Sequence, residues 1–210
     1  MNVDIAANKA EFNRLLEQAG REGTDYLIED LESLGFYEAP ASTRFHLDCD
    51  GGLVEHSLNT CRAGLMLREK MIEMRPDLEV HLPQDSVIVA TLLHDVCKAD
   101  IYKKTVRKQK DRVGVWQEQE IYTVDYGNFP MGHGEKSAIV VLRSGFDIHD
   151  DEMLAIRWHM TAWDLAFQNA EARNNINTAR NKHPLCSLVN LADGIAANLL
   201  EWGWVEHADL

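Results

Sequence analysis

Apolar residues recur at helical spacing along most of this chain. In the first such segment, Phe12, Leu15 and Leu16 fall on one face of a helix and polar residues occupy the other faces. The same pattern predicts helices over residues 8–20, 24–34, 53–74, 86–98, 133–144, 150–159, 163–170 and 185–202. The chain is therefore predicted to be mostly helical.

The predicted helix over residues 86–98 differs from the others because it is apolar on nearly every side. Its sequence is SVIVATLLHDVCK. A surface helix needs a polar face, and this segment has none over most of its length. We predict that it is a buried helix at the centre of the fold.

The run over residues 101–126 has a different pattern. Val113, Ile121 and Tyr122 are among its β-forming residues, and they are interleaved with polar ones. Asp111 lies near a plausible turn. We predict a small β-hairpin inserted into an all-α fold.

The predicted elements form one domain with two flanking parts. Residues 1–44 are predicted to be N-terminal helices packed on a main helical domain over residues 45–202, and residues 203–210 form a C-terminal tail. A length of 210 residues and a hydrophobic content of 45% fit a single domain with its own core.

Composition and charge favour a cytoplasmic protein that does not bind membranes. The formal net charge of −13 argues against broad, non-specific binding of nucleic acid or lipid. No apolar stretch reaches the length of a membrane span, and the N-terminal residues lack a basic start and an apolar signal core. The cysteines show no paired spacing and are predicted to be reduced thiols: Cys49, Cys61, Cys97 and Cys186.

Metal-binding residue types are spread over five blocks, each in its own predicted helix. The set is His56, His94, Asp95, His133, His159 and Asp193. Several helices of a bundle can each contribute such inward-facing ligands to one site. Imidazole and carboxylate without thiolate are typical of catalytic iron, manganese or zinc, and not of a Cys-rich structural zinc.

The adjacent pair His94 and Asp95 ends the apolar central helix. An ionised carboxylate at such a place costs several kcal/mol unless it is paired or coordinates a metal. Taken alone, the pair fits a metal ligand and a solvated helix end about equally well. His56, His133 and His159, each taken alone, are more often structural.

Asp193 lies at the edge of a polar stripe on the last predicted helix. The stripe consists of Ser187, Asn190, Asn198 and Glu201. On a helical wheel, Asp193 faces towards Val189 and Ala196, outside the stripe. A solvated acid would lie inside the stripe, so Asp193 is predicted to face a cation.

Taken in order, these pieces resemble the HD-domain superfamily over roughly residues 45–202. The matching pieces are GGLVEHSL, LLHDVCK, GHGEKS, the helix-terminal His159 and LADG. The resemblance implies an HD-domain helical bundle. It also implies a minimal metal set of His56, His94, Asp95 and Asp193, with a second metal held by His133 and His159 and with Asp95 bridging the two. The implied cofactors are two divalent ions, Fe, Mn, Zn or Ni, with Mg also acceptable.

A binuclear site of this kind implies phosphoester hydrolysis. Two metals about 3.5–4 Å apart can activate a water molecule and clamp a phosphoryl group. The expected substrate is a small phosphorylated compound, namely a nucleotide, a cyclic nucleotide or a short oligonucleotide.

Several residues near the ligands are candidates for catalysis or substrate binding. Lys98 lies four residues after His94 and can reach a substrate phosphate, although a lysine also suits a helix C-terminus. Glu135 can orient a water or shuttle a proton, or it is simply a first-turn acid. Arg157 is a candidate substrate-binding residue at the rim of the active-site cleft.

The basic run from Lys98 to Arg112 has seven basic residues against two acidic ones. It includes Lys103 and Lys104, which we expect either to attract an anionic substrate or to protect the edge of a solvated hairpin.

Two other functions remain open from the sequence. The same six ligands occur in HD-fold oxygenases that use a mixed-valent iron pair on a small polyol or phosphonate, and residue spacing does not separate these from hydrolases. A non-enzymatic module that senses a nucleotide would be expected to lack some ligands, and all six are present. A homo-oligomer is compatible with the sequence.

Overall fold

A computed structural model describes residues 3–110, 113–127, 129–161 and 169–201. Its helices are α1 Ile5–Gln18, α2 Thr24–Leu34, α3 Gly52–Met74, α4 Gln84–Leu93, α5 Lys98–Ile101, α6 His133–Arg143, α7 Asp150–Trp158, α8 Ala170–Lys182 and α9 Pro184–Ile195. Two strands, β1 Tyr102–Lys110 and β2 Trp116–Val124, form an antiparallel pair. A 3₁₀ helix covers Pro76–His81 and a π turn covers Ala196–Leu200. The prediction of a helical fold with one inserted hairpin is confirmed.

Helix α4 lies at the centre of the fold, as its apolar sequence predicts. All eight of its residues from 86 to 93 are buried. Ile88 and Leu92 join one apolar cluster, whereas Val87 and Ala90 join a second cluster on the other side. Each fully buried Val, Leu or Ile side chain contributes roughly 1.5–3 kcal/mol. Helix α4 is thus packed between two apolar clusters, which fix the start of the turn that follows it.

The N-terminal helices pack on this centre through one apolar face. Phe12 of α1 and Leu27 of α2 are fully buried in the first cluster. The rings of Phe12, Phe36 and Tyr37 pack against one another with centroids 4.9–5.9 Å apart. Gly35 ends α2 with a φ of +78°, in the left-handed region that glycine adopts without strain.

The central helix ends earlier than the sequence predicts. Helix α4 stops at Leu93, and a turn separates it from the short α5 that begins at Lys98. The side chain of His94 donates a hydrogen bond from Nδ1 to the carbonyl of Thr91 at 2.8 Å. In a continuing helix that carbonyl would accept from the backbone of Asp95, so the imidazole competes with the helix at this point.

Helix α8 does not appear among the predicted helices. Its sequence is polar, and it buries only Ile176 and Ala179, so the apolar periodicity that marks a helix is nearly missing. Most of the helix predicted over residues 163–170 and the predicted tail over residues 203–210 lie outside the described residues. No helix in the described part of the chain is long and apolar enough to cross a membrane.

The hairpin projects its side chains into solvent. Its register pairs Tyr102 with Val124 and Lys110 with Trp116. At its base, Lys104 and the hydroxyl of Tyr122 both contact the carboxylate of Asp50, in the loop before α3. The hairpin is therefore attached to the body of the protein beside the start of α3.

Candidate metal centre

The six predicted ligands converge in the structure, and most of them lie at helix ends. His56 lies in the first turns of α3, and His133 is the first residue of α6. His94 and Asp95 follow α4, and His159 follows α7. Asp193 lies in the last turn of α9, just before the π turn.

A pair of glycines sets the start of α3 and hence the position of His56. Gly51 has a φ of +77°. A Cβ added to Gly52 would lie 2.1 Å from the carbonyl oxygen of Leu47, so only glycine allows this close approach. The two glycines therefore allow the preceding loop, which carries His46, to pack closely against the helix that carries His56.

On one side of the centre, three groups lie close to Nε2 of His56. Its Nε2 lies 3.2 Å from Nε2 of His94 and 3.3 Å from Oδ1 of Asp193. The carboxylate of Asp95 is also close, with Oδ2 at 3.5 Å from the same nitrogen. These atoms enclose a space of the size that one ion occupies.

Asp95 lies between two pairs of imidazoles. Its Oδ2 faces Nε2 of His94 at 3.3 Å and the ammonium of Lys98 at 2.6 Å. Its Oδ1 contacts His133 and lies 3.4 Å from Nε2 of His159. A single carboxylate thus presents one oxygen to each side of the centre.

Hydrogen bonds at Nδ1 direct the other nitrogen of three rings inward. His94 donates to the carbonyl of Thr91 at 2.8 Å, and His159 donates to the carbonyl of Ile156 at 2.7 Å. His56 has the carboxylate of Glu201 at 2.9 Å as its acceptor. Carbonyls and carboxylates only accept, so Nδ1 carries the proton in each ring.

In their neutral forms these rings direct lone pairs at one another and at carboxylates. That arrangement is repulsive unless a cation lies between the groups. Among the described residues, Nε2 of His159 is buried without a hydrogen-bond partner. An inward-facing donor set of this kind, with the outer nitrogen held by an acceptor, fits a metal ion.

The electrostatics of the centre favour positive charge among its carboxylates. Burial works to lower the pKa of His56 and His159, but the nearby carboxylates outweigh it and raise both values. For Asp95, burial works to raise the pKa, and the charges of Lys98 and the histidines hold it well below its usual range. Burial works to raise the pKa of Asp193, but its hydrogen bond with His56 and the charges of the nearby histidines together outweigh burial and lower the value. Both acids are therefore ionised at neutral pH.

The centre opens on the side of His133 and Asp193. Their side chains are 19% and 21% exposed, whereas those of His56, His94, Asp95 and His159 are at most 3% exposed. Burial lowers the pKa of His133, which favours the neutral form that binds metals.

Two residues that support the ligands were not predicted. Asn190 and Glu201 belong to the polar stripe of the last helix, yet both face the centre. Asn190 donates to the carbonyl of His159 at 2.7 Å, and Glu201 is the acceptor for His56. The sequence did hold a signal for them, because both belong to the polar stripe whose edge lies at Asp193.

His46 lies next to these supports. Its ring centroid is 5.0 Å from that of His56, and its Nε2 is 3.8 Å from Glu201. Burial lowers the pKa of His46 to about 4.

The structure places the remaining predicted site residues around the centre or beside it. Lys98 is buried against Asp95. Glu135 and Arg157 pair with each other at 2.7 Å, and both line a groove of about 570 Å³ between α6 and α7. On the hairpin, Lys104 is held by Asp50 and Glu120.

Lys103 of the hairpin is half exposed and lies 4.0 Å from Asp100. Among the predicted substrate-binding residues, Lys98 contacts the predicted metal ligand Asp95 directly.

Comparisons with known proteins agree with this geometry. The model of a family described as the HD domain matches residues 53–198. The chain is 29% identical over 89 residues to the dihydroneopterin 2′,3′-cyclic phosphate phosphodiesterase of Methanocaldococcus jannaschii. The match covers 42% of this chain and 32% of that protein, so the chain spans about a third of the length of this relative. No solved structure gives a significant match.

Proposed function

Because the chain belongs to the HD domain family, we propose that it is a metal-dependent phosphohydrolase with two metal ions at the His/Asp centre. The family and the phosphodiesterase relative support metal-dependent phosphoester hydrolysis in general. The observation that carries the binuclear proposal is the position of Asp95, with one carboxylate oxygen facing each pair of imidazoles.

The donor atoms divide into two overlapping groups. The first ion would be held by His56, His94, Asp95 and Asp193, and the second by Asp95, His133 and His159. In the trio of His56, His94 and Asp95, and in that of Asp95, His133 and His159, one donor atom from each residue lies within 4.8 Å of the others. Imidazole and carboxylate donors accept manganese, iron, zinc or nickel, and availability selects among them.

Bound ions would supply a nucleophile from water at neutral pH and would neutralise charge on the phosphoryl group. The chain's own residues provide orientation and positive charge. Lys98 keeps its ammonium protonated: burial works to lower its pKa, but the charge and hydrogen bond of Asp95, together with Tyr102 and Asp193, outweigh burial and raise the value. Its position beside the bridging carboxylate allows it to bind a substrate phosphate oxygen at the ions. His133 and Asp193 lie at the opening, where substrate would enter.

For the substrate, we propose a small phosphodiester of the nucleotide type, with cyclic phosphates as the first compounds to test. The relative's name specifies a 2′,3′-cyclic phosphate, and His133 and Asp193 are the partly exposed residues among the six predicted ligands. Neither comparison favours the di-iron oxygenase.

The test combines metal analysis with a substrate panel. Protein purified without added metal is analysed for its metals and assayed on 2′,3′- and 3′,5′-cyclic nucleotides, nucleoside monophosphates and short oligonucleotides, with and without Mn²⁺. We expect about two ions per chain and manganese-supported hydrolysis that is lost in His94→Ala. Folded protein that binds no metal and cleaves none of these compounds would contradict the proposal. Substrate-dependent oxygen uptake by iron-loaded protein would favour the oxygenase instead.

A further inference from the structure

Glu201 is a buried carboxylate that lies behind the centre and not in it. Its side chain is only 1% exposed. Both of its oxygens lie within 3.0 Å of Nδ1 of His56, and Asn59 donates to one of them at 3.2 Å. The carboxylate therefore contacts the edge of the imidazole at Nδ1, which points away from the predicted ions.

The π turn over Ala196–Leu200 brings Glu201 to this position. In a regular α-helix, Glu201 would lie about 80° around the axis from Asp193, because eight residues rotate by about 800°. A π turn contains more residues per turn, so it reduces this rotation and brings the two acids towards the same side. The backbone of Glu201 donates to the carbonyl of Ala196 at 2.9 Å, which is the spacing of a π turn.

His56 needs such a partner because of its place in α3. His94 and His159 follow the ends of their helices, where the carbonyls three residues earlier are free to accept from Nδ1. His56 lies within the body of α3, where the preceding carbonyls are engaged by the helix. Of these three imidazoles, His56 is the one whose Nδ1 has a charged acceptor.

We propose that Glu201 is a positioning residue that holds Nδ1–H of His56 and aims Nε2 at the first metal ion. Hydrogen bonds to an ionised acceptor are about twice as strong as neutral ones. They also fix the tautomer and raise the basicity of a ligating imidazole. The inference rests on the proposed metal centre, and it assigns the π turn a role in building the centre.

Zinc binding tests the inference with Glu201→Gln, an isosteric change that removes the charge. We expect zinc affinity at the His56 ion to fall by about 10- to 100-fold, while the ion at His133 and His159 stays bound. Glu55→Gln is the matched control, because it makes the same change at a carboxylate next to His56 in the chain, which accepts a hydrogen bond from Asn8. Its zinc affinity should stay within about threefold of the wild type.

The ring nitrogens of His56 give a second readout that a purely structural role would not change. In the zinc-loaded wild type, ¹⁵N-edited NMR should show a strongly deshielded Nδ1–H, and Glu201→Gln should move it upfield. A variant with two tightly bound zinc ions and an unchanged Nδ1–H signal would overturn the inference. If the variant does not fold, the wild-type spectrum still decides, since an Nδ1 without a proton contradicts the proposal.

The outcomes separate this inference from the proposed function. Wild-type protein that binds no zinc refutes the metal centre and the inference together. Wild-type protein that binds two zinc ions but hydrolyses no phosphoester refutes the reaction only, and the effect of Glu201→Gln on zinc affinity still decides the role of Glu201.

Discussion

Two lysine–aspartate pairs in this protein have similar chemistry and very different surroundings. Lys98 and Asp95 are 2.6 Å apart at the centre, with side chains 10% and 3% exposed. Lys104 and Asp50 are 3.1 Å apart at the base of the hairpin, with side chains 46% and 56% exposed. Water screens the second pair, so it contributes little to stability. Removing one partner of the buried pair costs about 3–5 kcal/mol, because the other charge is left without compensation.

Asp95→Asn should have the largest effect. It keeps the shape of the side chain and removes the charge shared by both ion positions, so metal content should fall to near zero. The metal-free variant should also lose about 3 kcal/mol of unfolding free energy, because Lys98 stays buried. Asp50→Asn is the exposed counterpart, and its loss of unfolding free energy should be much smaller than that of Asp95→Asn. Elemental analysis and urea unfolding measure both quantities, and full metal occupancy in Asp95→Asn would exclude a bridging carboxylate.

The next largest effect should come from disturbing the close contact between the backbones of α6 and α7 at Gly134. A Cβ on Gly134 would lie 2.3 Å from the carbonyl of Arg157 and 2.7 Å from that of Ile156. Gly134→Ala should therefore separate α6 from α7 and displace His133 from His159, with about 1–3 kcal/mol of destabilisation. We expect one ion to be lost from the His133 side, as measured by metal titration.

Gly194→Ala is the control for this prediction. Gly194 is also helical and adjoins a predicted ligand, but its added Cβ meets no atom within 4 Å. It should be neutral or stabilising by up to about 1 kcal/mol. Equal metal loss in both variants would show that the close α6–α7 contact does not hold the second ion.

Lys98→Met should separate substrate binding from metal binding. Methionine keeps much of the buried packing and removes the ammonium beside Asp95. With the ions bound to that carboxylate, we expect normal metal content and a decrease in kcat/KM of about 100-fold, the scale for loss of one preorganised charge. Loss of metal with unchanged kinetics per bound ion would mean that Lys98 supports the ligands instead.

The hairpin lysines should give the smallest effect. The double variant Lys103→Ala/Lys104→Ala removes exposed charges that already lie near acids. KM should rise by no more than about threefold at low ionic strength, and the difference should vanish in high salt. A larger, salt-resistant increase would place the hairpin in direct contact with substrate.

The contrast between apolar and polar positions along the chain explains which elements the sequence could predict. Periodicity predicted the central helix and the hairpin because both patterns are strong over many residues. The six candidate metal ligands were predicted from the order of short motifs along the chain, such as the pair His94 and Asp95 at the end of an apolar helix. Each of these motifs is local in the chain.

What the sequence did not predict follows from causes that the pattern of apolar residues does not record. The end of α4 depends on a side-chain bond from His94 to the carbonyl of Thr91. Helix α8 has little apolar periodicity. Glu201 falls in the polar stripe of a regular helical wheel, and only the π turn and a contact 145 residues away in the chain place it behind His56.

The ammonium of Lys98 also bears on how the protein matures in a cell. With this internal counter-ion beside Asp95, and with apolar clusters on both sides of α4, we expect the chain to fold before any metal binds. Metal would then load after folding, past the partly exposed His133 and Asp193, and chelation should empty the centre without melting the helices. The supply of ions after synthesis would then decide which metal the protein carries.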